Sequence, residues 1–443
     1  MRETLLLFFV TLIVIACNEE PFNSGNYMDE KWVQSIDTTF TQPSDFKDTS
    51  LLSVRISSKK IMQGFLRPTN FDSTGAFGKL INMFSRFYAT PHNPLTKKEY
   101  LFVDGDHQGA ITDTVYADSS LFNGRYYSAN TNNLHFQFLS IAKEIKTKPD
   151  KRKFYVILSD GETTIRKYQN DNAAELTEIK EALKDILNKQ PNMCIGSISL
   201  LSKFTGDYTY DPKQSKYIDC MRYLYAFCFF DKSFMPEFQR FADDATRAGG
   251  HAFVFNPQVP HVSVSTSTAI YPQRIGAKNR AESDKYSAYS FRENVPDSIV
   301  LDSRISNFKY MQLPSLNYKV YYYSPKSIYK LNAPKEIGAG AYPAKTNGSG
   351  FTVSLKLKPE NAPGMYGIEL VPVYKDVDVS QIAGYNIQEV NIDDNTLTEV
   401  TNIRPGETLK TEGLKDLYQK FIEALIDIQQ PIFYRTYISI SKN

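Results

Sequence analysis

Between residues 51 and 257 the chain alternates short apolar runs with amphipathic stretches, and no other feature constrains the fold as much. LLSVRIS (51–57), EYLFVDG (99–105), KFYVILSDG (153–161), CIGSISLL (194–201), YLYAFCFF (223–230) and HAFVF (251–255) read as strands. Between them, GAFGKLINMFSRFYA (75–89), NNLHFQFLSIAKEIK (132–146), AAELTEIKEALKDILNK (173–189) and FMPEFQRFADDATRA (234–248) space their apolar residues as helices do. The third is the clearest, with Leu176, Ile179, Leu183, Ile186 and Leu187 on one stripe and Lys and Glu opposite. Alternation of this kind buries both faces of a sheet. It predicts an α/β domain over 50–257, doubly wound around a mainly parallel sheet.

After residue 258 the character changes. VSVSTSTAIY, SIVLDSRI, YKVYYYS, FTVSLKLK and MYGIELVPVY are strand-like runs, separated by turn-rich stretches such as NAPKEIGAGAYPAKTNGSG. They predict a β-rich, sandwich-like domain over 258–443. Near its end GLKDLYQKFIEALIDIQQ (413–430) reads as an amphipathic helix, followed by a last strand, PIFYRTYISISK.

Residues 1–17, MRETLLLFFVTLIVIAC, place one Arg before an apolar run that ends at a cysteine. The run has the length of a signal-peptide core and is short for a membrane span. Val14-Ile15-Ala16-Cys17 resembles a bacterial lipobox, which implies a lipid on Cys17 and an envelope location, with the outer membrane favoured by Asn18 in place of Asp. Asn18-Glu19-Glu20 resembles the surface-export signal of Bacteroidetes lipoproteins, so both the periplasmic face and the cell surface stay open. Residues 18–49 are polar and aperiodic, a tether to the first domain. The net charge of +2 comes without any basic block, which argues against a nucleic-acid partner. Cys194, Cys220 and Cys228 contain no CxxC and do not suggest a metal–thiolate site.

FYVILSDGETT (154–164) climbs to Asp160 and stops. A carboxylate at the end of a buried strand needs a partner for its charge. In open α/β sheets that end of the strand is also where ligands bind. Here the chain resembles a von Willebrand factor A domain, over roughly residues 50–257. The resemblance implies a Rossmann-like sheet and an Mg²⁺ site built from three loops. ILSDGE matches the third loop and places Asp160, and SANTNNL matches the second and places Thr131. The first loop should carry Asp-x-Ser-x-Ser. The tail Met62-Gln63-Gly64-Phe65 fits the lipoprotein form of this motif and puts Ser57, Lys59 and Ile61 at the three ligand positions. The carboxylate and both hydroxyls are replaced. This degenerate site implies no metal cofactor, with Lys59 or Lys60 placed to neutralise Asp160.

Three functional readings follow. The first is a non-catalytic envelope lipoprotein, an interaction or assembly scaffold for a protein partner. It would recognise that partner through loops 57–73, 104–131 and 161–172, with Asp104, Asp106, His107, Gly161 and Glu162 among the binding-loop residues. The second keeps Mg²⁺ on Thr131 and Asp160. The third is a metal-assisted hydrolase using Asp104, Asp106, His107 and Asp160. Against it, the other histidines are scattered, and His135 among Leu134, Phe136 and Phe138 reads as a packed side chain. No GxSxG elbow supports a serine hydrolase.

Overall fold

A computed structural model describes residues 50–69, 74–85, 95–105, 111–116, 121–127, 134–150, 152–163, 169–191, 193–211 and 214–255 of the α/β part. Beyond these it describes residues 261–266, 271–272, 286–291, 299–306, 310, 312–313, 315–327, 330–342, 345–346, 351–357, 364–381, 391–392, 400, 402–428 and 434–442. The leader with Cys17, the tether, Thr131, Asp106 and His107 lie outside the described residues.

Seven strands form the first sheet: β1 (Ser50–Ser57), β2 (Leu95–Gly105), β3 (Ile111–Tyr116), β4 (Lys153–Ser159), β5 (Met193–Asp211), β6 (Gln214–Asp231) and β7 (His251–Phe255). Their order is β3-β2-β1-β4-β6-β5-β7. β1 pairs in parallel with β2 and β4. The pairs β2–β3, β4–β6, β5–β6 and β5–β7 are antiparallel. The sheet is therefore mixed, not mainly parallel as the alternation predicted. The cause is local. No helix separates CIGSISLL from YLYAFCFF; the two runs are arms of one long hairpin that reaches from Met193 to Asp231. A hairpin enforces antiparallel pairing where a helical crossover would enforce parallel. The β3 strand ITDTVY, which sequence reading passed over, adds the antiparallel edge next to β2.

Both faces of this sheet are covered. On one, Leu52, Val54, Ile56, Phe154, Val156 and Leu158 meet α1 (Ala76–Ser85) and α4 (Met235–Arg247), which contribute Phe77, Leu80, Phe84, Phe238 and Phe241. On the other, Tyr155, Ile157, Tyr225, Phe227 and Phe229 meet α2 (Leu134–Thr147) and α3 (Gln169–Lys189). The alternation of apolar residues along each strand sends successive side chains to these two cores.

A third helix shares the second core. α5 (Leu414–Asp427) lays Leu417, Tyr418, Phe421, Ile422 and Leu425 against α2, α3 and the sheet. Phe421 meets Phe138 and Phe227 edge to face, with centroids 5.8 and 5.9 Å apart. Lys180 and Lys184 on α3 face Asp427 at 2.9 and 3.5 Å. The helix expected to finish the β-rich domain is thus a structural part of the α/β core. Its apolar stripe is satisfied by the sheet face that α2 and α3 leave uncovered.

The rest of the C-terminal region is β-rich, as expected. A six-stranded sheet orders the strands 335–342, 315–323, 364–373, 434–442, 286–291 and 271–272. All its pairings are antiparallel except that of 286–291 with 434–442. A separate three-stranded antiparallel sheet joins 351–357, 299–306 and 261–266.

Candidate functional site

The carboxyl ends of β1 and β4 lie side by side at the centre of the first sheet, with Ile56 opposite Leu158 in the last register pair. Beyond them both chains turn. After β1, Ser58 donates its hydroxyl to the Val103 carbonyl at 3.3 Å, and the chain enters a helical turn from Lys60 to Thr69. After β4, Ser159 is followed by Asp160 and then by Gly161 in the left-handed region at φ 75°. Two constraints hold glycine at 161. An L side chain is strained at that φ, and a Cβ there would come 2.5 Å from the Tyr225 ring.

The turns bring a lysine to the aspartate. Lys59 Nζ donates to Asp160 Oδ1 at 3.3 Å and to the Glu162 backbone carbonyl at 3.4 Å. Lys59 and Asp160 are 5% and 1% exposed, so this is a buried pair. Ser159 Oγ donates to Asp160 Oδ1 at 3.1 Å and accepts from Gly161 N at 3.2 Å, which fixes the carboxylate over the turn. Lys60, the other candidate, points away and pairs with Asp207 at 3.4 Å across exposed surface.

A second buried ion pair adjoins the first. Arg222 Nη2 donates to Glu162 Oε1 at 2.5 Å, and the Tyr208 hydroxyl donates to the same oxygen at 3.0 Å. The guanidinium also lies 4.9 Å from the ring centroids of both Phe204 and Tyr208. Burial pushes the Glu162 carboxyl up to about 7 despite the neighbouring Arg222, and the Asp160 charge adds to the rise. With Glu162 ionised the four groups sum to zero, Lys59 and Arg222 against Asp160 and Glu162. A buried cluster stays tolerable only when charges balance in this way. Asp160 Oδ2 is buried without a hydrogen-bond partner, and so is Ser57 Oγ at the end of β1.

The chain's own C-terminal segment runs along this side of the sheet. β4 leaves the sheet after Ser159, which pairs with Tyr225, but β6 continues to Gln214. Residues 407–409 take the vacated edge. Met221 N donates to Glu407 O at 2.7 Å and Leu409 N to Met221 O at 2.9 Å. Farther along, the Thr411 and Tyr225 hydroxyls meet at 2.9 Å, and Gly413 passes against Thr163. Glu162, Thr163, Thr411 and Glu412 are all buried here. Gly161 and Glu162, expected in an exposed binding loop, lie instead beneath this strap.

The other predicted site residues separate. Ser57 ends β1 and Ile61 packs, partly buried, against the core without offering a ligand atom. Asp104 sits in β2, its backbone opposite Thr112. Among the described residues no group of three His, Cys, Asp or Glu side chains is arranged to hold a metal. Mg²⁺ asks for about six hard oxygens at roughly 2.1 Å. Among the described residues, the oxygens around Lys59 lie at hydrogen-bonding range from its ammonium and do not form such a set. His135 is packed between α2 and α3, with Glu175 at 3.5 Å and Glu178 at 3.2 Å. Cys194, Cys220 and Cys228 are all buried free thiols.

Sequence reading missed Arg222 and Tyr208 as members of the site. The signal was present in MRYLYAFCFF, where period-two alternation puts Arg222 on the same face as Leu224, Ala226, Cys228 and Phe230. A cation in a core-facing register requires a buried anion. No family model and no curated protein sequence matches the chain. Among solved structures, red sea bream transglutaminase aligns at a TM-score of 0.15 and 8% identity, over 62% of this chain and 39% of that one, a likeness too slight to carry any argument.

Proposed function

We propose that the protein is a non-catalytic lipoprotein of the cell envelope, a von Willebrand factor A-like scaffold for protein interaction or assembly that works without an essential metal. The observation that carries this reading is the Lys59 ammonium on Asp160, at the strand end where the resemblance would place an ion. A site whose cation is covalently attached gains nothing from free Mg²⁺. The described buried carboxylates at this strand end are matched by cations, Asp160 by Lys59 and Glu162 by Arg222. The lipobox-like leader supports the envelope location, and the absence of basic blocks supports a protein partner over nucleic acid.

Calorimetry on the soluble fragment 18–443 with Mg²⁺ and Mn²⁺ tests the reading, with Asp160→Ala as control. The expected result is no binding heat at millimolar metal. Micromolar binding that disappears in Asp160→Ala would overturn it and restore a metal-dependent binding protein.

A further inference from the structure

β5 outruns its outer neighbour. β7 pairs with it only from Ile195 to Ser199, and among the described residues no strand lies along that side of β5 from Leu200 to Asp211. The polarity of this edge follows from Met221. Its N–H and C=O both serve the 407–409 segment, so both point away from β5. Lys203 is its partner in the β5–β6 ladder, and in such a pair the N–H and C=O of both residues point outward. Period two then turns the amides of Leu201, Lys203, Thr205, Asp207 and Thr209 to the uncovered edge. The side chains divide in the same way. Ser202, Phe204, Gly206 and Tyr208 are buried, with Phe65 and Gly64 of the helical turn packed over Phe204 and Gly206. Leu201 and Lys203 are exposed, and Thr205 and Asp207 are partly so.

An uncovered edge is a template for another strand, and charges on it ordinarily keep strands apart. Here the signs leave one register open. Lys203 and Asp207 stand two residues to either side of Thr205. Two copies of β5 laid antiparallel about a two-fold axis at Thr205 place Lys203 of each opposite Asp207 of the other. The two Thr205 residues then face each other as a hydrogen-bonded pair, which their outward amides permit. Moving the axis to Lys203 or to Asp207 sets like charges face to face. The present partners of these side chains compete weakly. Asp207 meets Lys60 at 3.4 Å and Lys203 meets Asp219 at 4.0 Å, both on exposed surface. We propose that the β5 edge from Leu201 to Thr209 is a homodimer interface, at which a second copy of this chain continues the sheet as β6-β5-β5-β6 through antiparallel pairing centred on Thr205. The inference goes beyond the metal-independent scaffold and does not depend on Lys59 or Asp160. A single strand edge buries little surface, so the dimer is weak and reversible.

Sedimentation equilibrium of fragment 18–443 at concentrations up to about 300 µM reads the association. The native chain should show a reversible monomer–dimer equilibrium. Lys203→Asp and Asp207→Lys each put like charges across the axis, and each should weaken the dimer at least ~10-fold. An equimolar mixture of these two variants should dimerise again, because every opposed pair is then Asp against Lys. Thr205→Cys reads the register. Its opposed Cα atoms would stand about 5.5 Å apart, within disulfide reach, so mild oxidation should trap a covalent dimer. Leu201→Cys, far from its own copy in this register, should not be trapped.

The exchanged side chains lie on the open face of the hairpin, and far-ultraviolet circular dichroism establishes that each variant is folded before its association is scored. A native chain that stays monomeric over the whole range would overturn the inference. So would single charge variants that associate as tightly as the native chain, or a mixture of them that stays monomeric. A native dimer that Thr205→Cys fails to trap, or that Leu201→Cys traps equally well, would overturn the register and with it the proposed interface.

Discussion

Glu162 offers a direct measure of how dry the charge centre is. Its carboxyl is raised from an ordinary 4.5 to about 7, first by burial and then by Asp160, against the pull of Arg222 and Tyr208. The folded chain therefore holds a proton over a range in which the unfolded chain has released it. Stability from this group is complete below pH 4.5 and is lost as pH rises to about 7. The full loss is roughly 3 kcal/mol, taken at about 1.4 kcal/mol for each pH unit between the two values. Glu162→Gln removes the titration. Its amide oxygen still accepts from Arg222 and Tyr208. Guanidinium unfolding of native and variant fragments between about pH 4.5 and 8 isolates the effect, because the difference between the two curves cancels the other carboxylates. The variant should gain about 3 kcal/mol on the native chain across that range. A flat difference would refute the desolvation argument. A difference of opposite slope would mean that Arg222 outweighs burial and that Glu162 is an ordinary ion-paired carboxylate.

Other perturbations separate the remaining contributions. Gly161→Ala should cost about 3 kcal/mol in urea unfolding, because strain at φ 75° adds to a Cβ 2.5 Å from Tyr225. Gly249→Ala, at φ 80° with nothing within 4 Å, should cost only about 1 kcal/mol, and equal losses would remove the steric role of Tyr225. Phe421→Ala in α5 should cost about 3–5 kcal/mol and speed hydrogen exchange in β4 and β6. Loss of protection confined to the C-terminal sheets would contradict the placement of α5 in the α/β core. Cys17→Ser should move the full-length protein from the membrane fraction to the soluble fraction, and continued membrane association would sink the lipid-anchor reading.

The strands and helices of the α/β part were legible because each pattern is local. Leu176, Ile179, Leu183 and Ile186 state a buried helical stripe whatever the stripe packs against. What they pack against was not legible. The stripe of α5 is equally clear in the sequence, but its partner face was formed far earlier in the chain, and chain order suggested the neighbouring strands instead. The hairpin was legible only as one of two readings. Residues 204–217 read equally as a binding loop or a long hairpin, and the antiparallel pairing from Thr205 opposite Asp219 to Thr209 opposite Ser215 decides for the hairpin. At the site, Asp160 was legible because a carboxylate after an apolar run is conspicuous. Arg222 was legible in principle from its register. The strap was not, since nothing in Glu407–Gly413 says that it completes a distant sheet edge.

That strap ties the electrostatics to the topology. Once Gly161 turns β4 away, the β6 edge beyond Tyr225 would expose its amides, and the ion pairs would be wetted from the same side. Residues 407–409 repair the edge through Met221, beside the buried Arg222. Leu409→Pro tests the dependence, because proline removes the N–H that bonds Met221 O at 2.9 Å and obstructs the short pairing. A loss of stability alone would say little, since Leu409 is also buried. The informative readout is the pH-dependent effect of Glu162→Gln, measured again with Leu409→Pro present in both chains. If the strap is what dries the centre, water returns, the Glu162 carboxyl falls toward its ordinary value, and the gain of about 3 kcal/mol shrinks below ~1 kcal/mol. If the full slope persists, the strap is incidental, and the dryness comes from Phe204, Tyr208 and the β5–β6 hairpin alone.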